Sequence, residues 1–285
     1  MFSLATPSAT IAILKKYNLS LRKKLGQNFL VDENILKKII SSANLNPDEI
    51  VLEVGPGIGT LTRALAGKAK TLVAVEIDKT FCLVLEETLS DLDNVKLICA
   101  DALKFDLSAL SSAPQSLKLV SNLPYNIATS LLITYLKKYP QIKEYIVMVQ
   151  KEVAERIVAL PESKEYGAFS LKIQYFARPK ILFTVSKNVF LPKPKVDSAV
   201  VRIVRLDKPE VTVEDAQFLF KVIEAAFSVR RKIIKNALIS AFASKEIIAE
   251  SLRNSRIDEI RRGESLSLKD FAKLSNELLK QGISS

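Results

Sequence analysis

The stretch Ile50-Val51-Leu52-Glu53-Val54-Gly55-Pro56-Gly57-Ile58-Gly59-Thr60 decides the fold class of this 285-residue chain. Its first five residues read as a buried strand, and three closely spaced glycines then lead into a helix. Glycines at such a junction let the backbone approach a ligand, and the helix start presents unpaired N–H groups to it. Glu76 closes the next apolar run, Thr71–Glu76, and lies 21 positions after Gly55. That spacing suits an acid that binds a ribose diol. At this point a dinucleotide and S-adenosylmethionine fit equally well.

Working outward, apolar runs at Val95–Cys99, 117–120 and 145–149 alternate with helix-length segments at 61–66, 81–89 and 128–139. This rhythm predicts an α/β fold with a mostly parallel, doubly wound sheet and right-handed crossovers. Upstream, Asp32 before Ile35, Leu36, Ile39 and Ile40 predicts a capped amphipathic helix. Downstream, 151–160 reads as a helix stopped by Pro161, while 169–175 fits a strand by its alternation and a helix by its lack of turn residues. Two further runs, 181–185 and 198–204, flank the proline-rich insert 190–196 and are expected to pair as an antiparallel hairpin at the sheet edge. After Asp207-Lys208-Pro209 the pattern turns helical at 214–227, 233–242, 245–252 and 268–281. The organisation expected is a basic arm over 1–26, an α/β domain over 27–205 and a small all-α domain over 206–285.

Composition narrows the chemistry. The chain has no histidine, so serine triads, Cys-His pairs and histidine-ligated metals are excluded. Its two cysteines, Cys82 and Cys99, lie in apolar surroundings and read as small buried hydrophobes in a reducing cytoplasm, with no disulfide and no metal site. No apolar run is long enough to span a membrane, and the first residues lack the pattern of a secretion signal. Net charge is +11, and five basic residues (Lys15, Lys16, Arg22, Lys23, Lys24) fall in the first 26 positions without one acid. A basic arm of that kind suits phosphate contact.

Two more strand ends carry chemistry. Asp101 follows Val95–Cys99 and is either an acceptor for an adenine amine or the cap of the next segment. Asn122-Leu123-Pro124-Tyr125 follows the run at 117–120. An amide and a neighbouring carbonyl can accept both hydrogens of an exocyclic amine, and the tyrosine face can stack on the ring that bears it. Methyl transfer to nitrogen suits this pincer better than hydride transfer does.

Taken in order, Gly26-Gln27-Asn28-Phe29-Leu30, Glu53-Val54-Gly55-Pro56-Gly57, Glu76, Asp101, Asn122-Leu123-Pro124-Tyr125 and Phe190-x-Pro192-x-Pro194-Lys195-Val196-Asp197-Ser198 closely resemble the small-subunit (16S) rRNA adenine N6,N6-dimethyltransferases, the kasugamycin-resistance family. The likeness runs from about Lys15 to Arg205 and continues into Arg230-Arg231-Lys232. It implies a class I, Rossmann-like methyltransferase fold with a seven-stranded sheet. It implies that S-adenosylmethionine is held by Gln27, Asn28, Leu30, Gly55, Gly57, Glu76, Asp101 and Asn122. It further implies that Asn122 and the Leu123 carbonyl take the target amine at the Pro124 turn, with Tyr125 stacked on the adenine and Phe190 on its other face. Arg22, Lys23, Lys24, Lys195, Arg230, Arg231, Lys232 and Lys235 are expected to meet rRNA phosphates of the small ribosomal subunit, the enzyme acting as a cytoplasmic monomer. The rival readings are a large-subunit rRNA methyltransferase of the macrolide-resistance type and an assembly or transcription factor on the same fold. A nicotinamide oxidoreductase is more distant. Leu123, the 190–198 segment and the long helical region favour the small subunit.

Overall fold

The computed structural model of the chain describes residues 4–19, 28–108, 117–229 and 232–283. Contacts divide it into two compact units, one of Met1–Ala154 with Pro179–Arg205, the other of Glu155–Arg178 with Leu206–Ser285.

The first unit opens with α1 (Pro7–Lys16), β1 (Phe29–Leu30) and α2 (Glu33–Ala43). It continues through β2 (Ile50–Val54), α3 (Thr60–Ala66), β3 (Thr71–Glu76), α4 (Lys79–Thr88) and β4 (Val95–Cys99). Then come β5 (Leu117–Asn122), α5 (Ala128–Lys138), β6 (Ile142–Gln150) and the start of α6 (Lys151–Val158). After α7 (Ala168–Phe176), the chain adds β7 (Ala177–Val185), β8 (Phe190–Leu191) and β9 (Ser198–Arg205). The main sheet has seven strands in the order β4-β3-β2-β5-β6-β9-β7, and β1 pairs with β8 in a small second sheet. Strands β2 to β6 are parallel, and β9 runs antiparallel to β6. This is the mixed seven-stranded architecture anticipated from the sequence.

The strands form where β-branched and aliphatic residues cluster because helices cover both faces of a parallel sheet. Val51, Leu52, Leu119, Val120, Ile146 and Val147 are all completely buried. The one lysine within β5, Lys118, is buried too, and its ammonium is satisfied by Glu49 at 3.1 Å, Glu144 at 3.2 Å and the carbonyls of Ala43 and Asn44. Helix α2 starts where expected, with Asp32 accepting from the Ile35 N–H at 2.9 Å. The chain runs outward from β2 to β4 and returns to β5 beside β2, so the strand order reverses between β2 and β5. Ligands of open α/β sheets bind at the carboxyl ends of strands flanking such a reversal.

The second unit contains α7, α8 (Ala216–Phe227), α9 (Ile234–Phe242), α10 (Lys245–Asn254) and α11 (Leu268–Lys280). Its own core gathers Leu171, Tyr175, Phe218, Val222, Leu238, Leu252, Phe271 and Leu274.

Three features differ from the sequence reading, and one more settles a segment that it left open. Residues 7–16, placed in a basic arm, form α1, capped by Thr6 with Pro7 in the first turn. Leu14 of that helix packs with Phe81 and Val84 of α4. Segment 169–175 is helical, and its mixed pattern follows from burial of Phe169, Ser170, Leu171, Ile173 and Tyr175, which leaves little polar stripe. Residues 155–178, placed in the α/β domain, group with the helical unit, because Tyr166, Leu171 and Tyr175 pack into its core. Finally, Cys82 and Cys99 form a disulfide with Cα atoms 6.2 Å apart, where separate thiols were expected. Cys99 is exposed, and α4 lying on β4 brings the two side chains together.

Candidate active site

At the strand-order reversal lies a cavity walled by the ends of β1, β2, β3 and β5. The glycine loop forms one side. Gly55 and Gly57 have φ of +72° and +61°, left-handed values that suit glycine. A Cβ at Gly55 would stand 2.7 Å from Pro124 Cγ, and one at Gly57 would stand 2.9 Å from Phe29 Cε1. The loop is therefore bare backbone pressed against the turn that follows β5. Ser121, whose hydroxyl donates to the Val54 carbonyl at 2.6 Å, ties β5 to β2 just behind that contact.

Glu76 forms the second wall. It accepts from the Asp78 N–H at 2.9 Å and from the Gly57 N–H at 3.3 Å, so it braces the glycine loop as well as facing the cavity. Burial raises its pKa against these backbone bonds. Glu53, also on the wall, is 2% exposed, and its Oε2 has no hydrogen-bond partner. Burial pushes its carboxyl up to about 8; the Thr62 hydroxyl opposes the shift and the Glu76 charge adds to it. Among the described residues lining the cavity none is basic. The described wall thus offers two carboxyl groups and no cation, and Glu53 is held largely protonated at neutral pH.

The third wall is the pincer. Asn122 Nδ2 donates to the Asn28 carbonyl at 3.2 Å, and its Oδ1 is buried with no partner. The Leu123 N–H donates to the Met148 carbonyl at 3.1 Å, anchoring the turn to β6. Tyr125 lines the cavity, and its hydroxyl is hydrogen-bonded to that of Ser198 at 2.6 Å. Burial raises the Tyr125 pKa, which keeps the phenol neutral.

The structure thus brings together Asn28, Leu30, Gly55, Gly57, Glu76, Asn122, Leu123, Pro124 and Tyr125 around one cavity. It does not bring Asp101 or Phe190 to that wall. Asp101 caps its own turn, accepting from the Leu103 N–H at 2.9 Å. Phe190 is 3% exposed, packs in the core with Ile39 and Val185, and pairs with Leu30 across β1 and β8. Of the expected phosphate contacts, Lys195 and Lys232 are exposed. Lys235 is paired with Glu259 at 2.7 Å. Gln27, Arg22, Lys23, Lys24, Arg230 and Arg231 lie outside the described residues. Three cavity residues escaped the sequence reading. Phe29 packs at a tilt with Phe81, ring centroids 5.6 Å apart, Ile77 stands 56% exposed beside Glu76, and Glu53 reaches the wall from the end of β2. An apolar residue directly after Glu76, the strand-end acid, was the available signal for Ile77. No cluster of acids and cysteines among the described residues could hold a metal, and no helix among them is long and apolar enough to cross a membrane.

The family model described as ribosomal RNA adenine dimethylase matches residues 18–280. Ribosomal RNA small subunit methyltransferase A of Alkaliphilus metalliredigens is 43% identical over 283 residues, covering 98% of this chain and 99% of its own. The protein of the same name from Enterococcus faecalis is 45% identical over 285 residues, covering 97% of each. Among solved structures, a Plasmodium falciparum dimethyladenosine transferase shares the fold with a TM-score of 0.73 at 24% identity, over 90% of this chain and 98% of its own. The 23S rRNA methyltransferase ErmE superposes with a TM-score of 0.65 at 26% identity, over 88% of this chain and 99% of its own. With a glycine loop, a ribose-suited acid and an amide pincer around one cavity, and a family match over nearly its whole length, this chain belongs to the ribosomal RNA adenine dimethylase family.

Proposed function

We propose that this enzyme methylates the N6 amines of two adjacent adenines in a loop near the 3′ end of 16S rRNA, using S-adenosylmethionine, to give N6,N6-dimethyladenosines during small-subunit assembly. The observation that carries the reading is the Asn122 amide, whose nitrogen is bound by Asn28 and whose buried oxygen has no partner. Such an acceptor is costly to bury unless a ligand donor meets it.

The cavity fits the cofactor. Glycine backbone where a Cβ would clash, an acid suited to a ribose diol and a Glu53 carboxyl oxygen with no partner in the protein match a nucleoside with an amino-acid tail. Asn28, Leu30, Gly55, Gly57 and Glu76 would hold it. When bound, it supplies an electrophilic methyl group on sulfur. Asp101 remains a candidate for the adenine edge, and Gln27 for the opposite rim.

The protein's own work lies in the acceptor. An adenine amine is a weak nucleophile because its lone pair is delocalised into the ring. Asn122 Oδ1 and the Leu123 carbonyl, accepting its two hydrogens, favour a pyramidal nitrogen and stabilise the positive charge that grows on it. Tyr125 offers its face to the base, and the rigid turn at Pro124 holds the pincer and glycine loop in contact. No histidine base is required, since the alkylated nitrogen loses its proton readily to water. A base stacked in duplex RNA cannot reach this wall, so the target is an unstacked loop nucleotide. Lys195 and Lys232, with the basic residues at 22–24 and 230–231, supply phosphate contact.

Identities of 43% and 45% to small-subunit enzymes against 26% to ErmE favour the small subunit over the large. The test is transfer of labelled methyl groups to immature small subunits, large subunits and naked rRNA, with mass mapping of the product. Two dimethyladenosines on small-subunit rRNA are expected. Label on large subunits alone would overturn the reading.

A further inference from the structure

We propose that Ser198 is a positioning residue that fixes the direction and tilt of the Tyr125 side chain for the incoming base, a role that rests on the cavity being an adenine methylation site. The two hydroxyls are 2.6 Å apart, yet the residues differ in their surroundings. Tyr125 sits on a short turn between β5 and α5, half-buried and on the cavity wall. Ser198 is completely buried at the first position of β9.

Ser198 has reason to be the fixed end. It stands opposite Gln150 in the β6–β9 ladder. The preceding residue is pinned twice, its carbonyl accepting from the Lys151 N–H at 2.9 Å and its carboxylate from the Lys187 N–H at 2.9 Å. The turn carrying Tyr125 is itself held by backbone bonds on either side, from Leu123 to Met148 and from Ile127 to the Pro124 carbonyl. A ring joined to a turn through Cβ can swing about the Cα–Cβ bond, and a stacking surface that tilts in this way loses the alignment of the amine with its acceptors. The hydrogen bond at the far end of the ring removes that freedom. β9 thereby takes part in a site otherwise built from β1, β2, β3 and β5.

The role predicts a loss in turnover and not in cofactor affinity. Ser198→Ala and Tyr125→Phe remove the same bond from opposite ends. Each should lower kcat about three- to tenfold, the span expected of one hydrogen bond, with S-adenosylmethionine Kd changed less than twofold. The double variant should be no worse than either single one. Additive losses, or a loss of cofactor affinity equal to the loss of rate, would overturn the proposal. If S198A does not fold, Y125F carries the test alone, and an unchanged kcat overturns it. Ring-labelled tyrosine NMR provides a readout independent of substrate, since only seven tyrosines are present. NOEs from the Tyr125 ring protons should spread over more than one χ1 rotamer in S198A, and an unaltered NOE pattern would sink the positioning role even if the rRNA target were correct.

Discussion

Asn122 and Asn28 lie 94 residues apart, and the bond from Asn122 Nδ2 to the Asn28 carbonyl turns the amide so that its oxygen is the free acceptor. β1 therefore orients the residue that β5 delivers. Replacing Asn122 by Ala should reduce methyl incorporation by about 10²–10³, the range for loss of one preorganised polar contact to developing charge. Cofactor binding, measured by calorimetry, should weaken and remain detectable. Near wild-type turnover would refute the pincer.

Gly55 is the second sensitive point. A Cβ there meets Pro124 at 2.7 Å and must also adopt a φ of +72°. Gly55→Ala should push the glycine loop away from the pincer and cost about 1–3 kcal/mol of stability. Cofactor affinity should fall more than tenfold, whereas Gly67→Ala, with space around it, should leave both unchanged. Calorimetric titration of the two variants side by side checks this.

Glu53 makes stability depend on pH. Its carboxyl ordinarily titrates at 4.5 and burial pushes it up to about 8. The folded protein thus keeps a proton that the unfolded chain releases, so this contribution is complete below pH 4.5 and is lost as pH rises toward 8. Glu76 acts in the same direction. The slope from one proton is at most about 1.4 kcal/mol per pH unit. Glu53→Gln should remove it, so the difference between variant and wild-type unfolding free energy should grow between pH 5 and 8. A constant difference would show that Glu53 is ionised throughout.

Binding to small subunits should weaken steeply with salt, by about 0.7–0.9 in log–log slope for each phosphate contact. Lys232→Ala should lower the slope by nearly one such contact. Lys235→Ala should lower it less, because Glu259 already holds that ammonium. Filter binding across a salt series distinguishes the two.

The Cys82–Cys99 bond closes a short loop that carries α4 onto β4. Alkylation of the unfolded, unreduced protein should leave both cysteines unmodified. Reduction should lower stability by about 3 kcal/mol, as expected for a loop of this size. Full alkylation without reductant would rule out the bond.

Much of this was readable from residue order. Buried parallel strands announce themselves as apolar runs, so the sheet and the glycine loop on β2 were evident, as was the turn after β5. What was hidden depended on contacts between distant segments. Helix α7 is buried on too many sides to show a stripe, and residues 155–178 take their place from Phe218 and Phe271, far along the chain. Helix α1 did have its signal, Thr6 before Pro7, which the surrounding lysines obscured. Phe190 and Asp101 illustrate the limit at the site itself. Their residue types suit a base and an amine, but residue order alone does not show that β8 pairing buries Phe190 or that Asp101 also accepts from the Leu103 N–H.

The return of 155–178 to the helical unit has a practical consequence for anyone who recombines these enzymes. A chimera joined once, at Arg205, would strand Tyr166, Leu171 and Tyr175 away from the side chains that cover them. Grafting the helical unit of one relative onto another calls for exchanging two stretches together, and a library built on single crossovers should lose most of its soluble members at that seam.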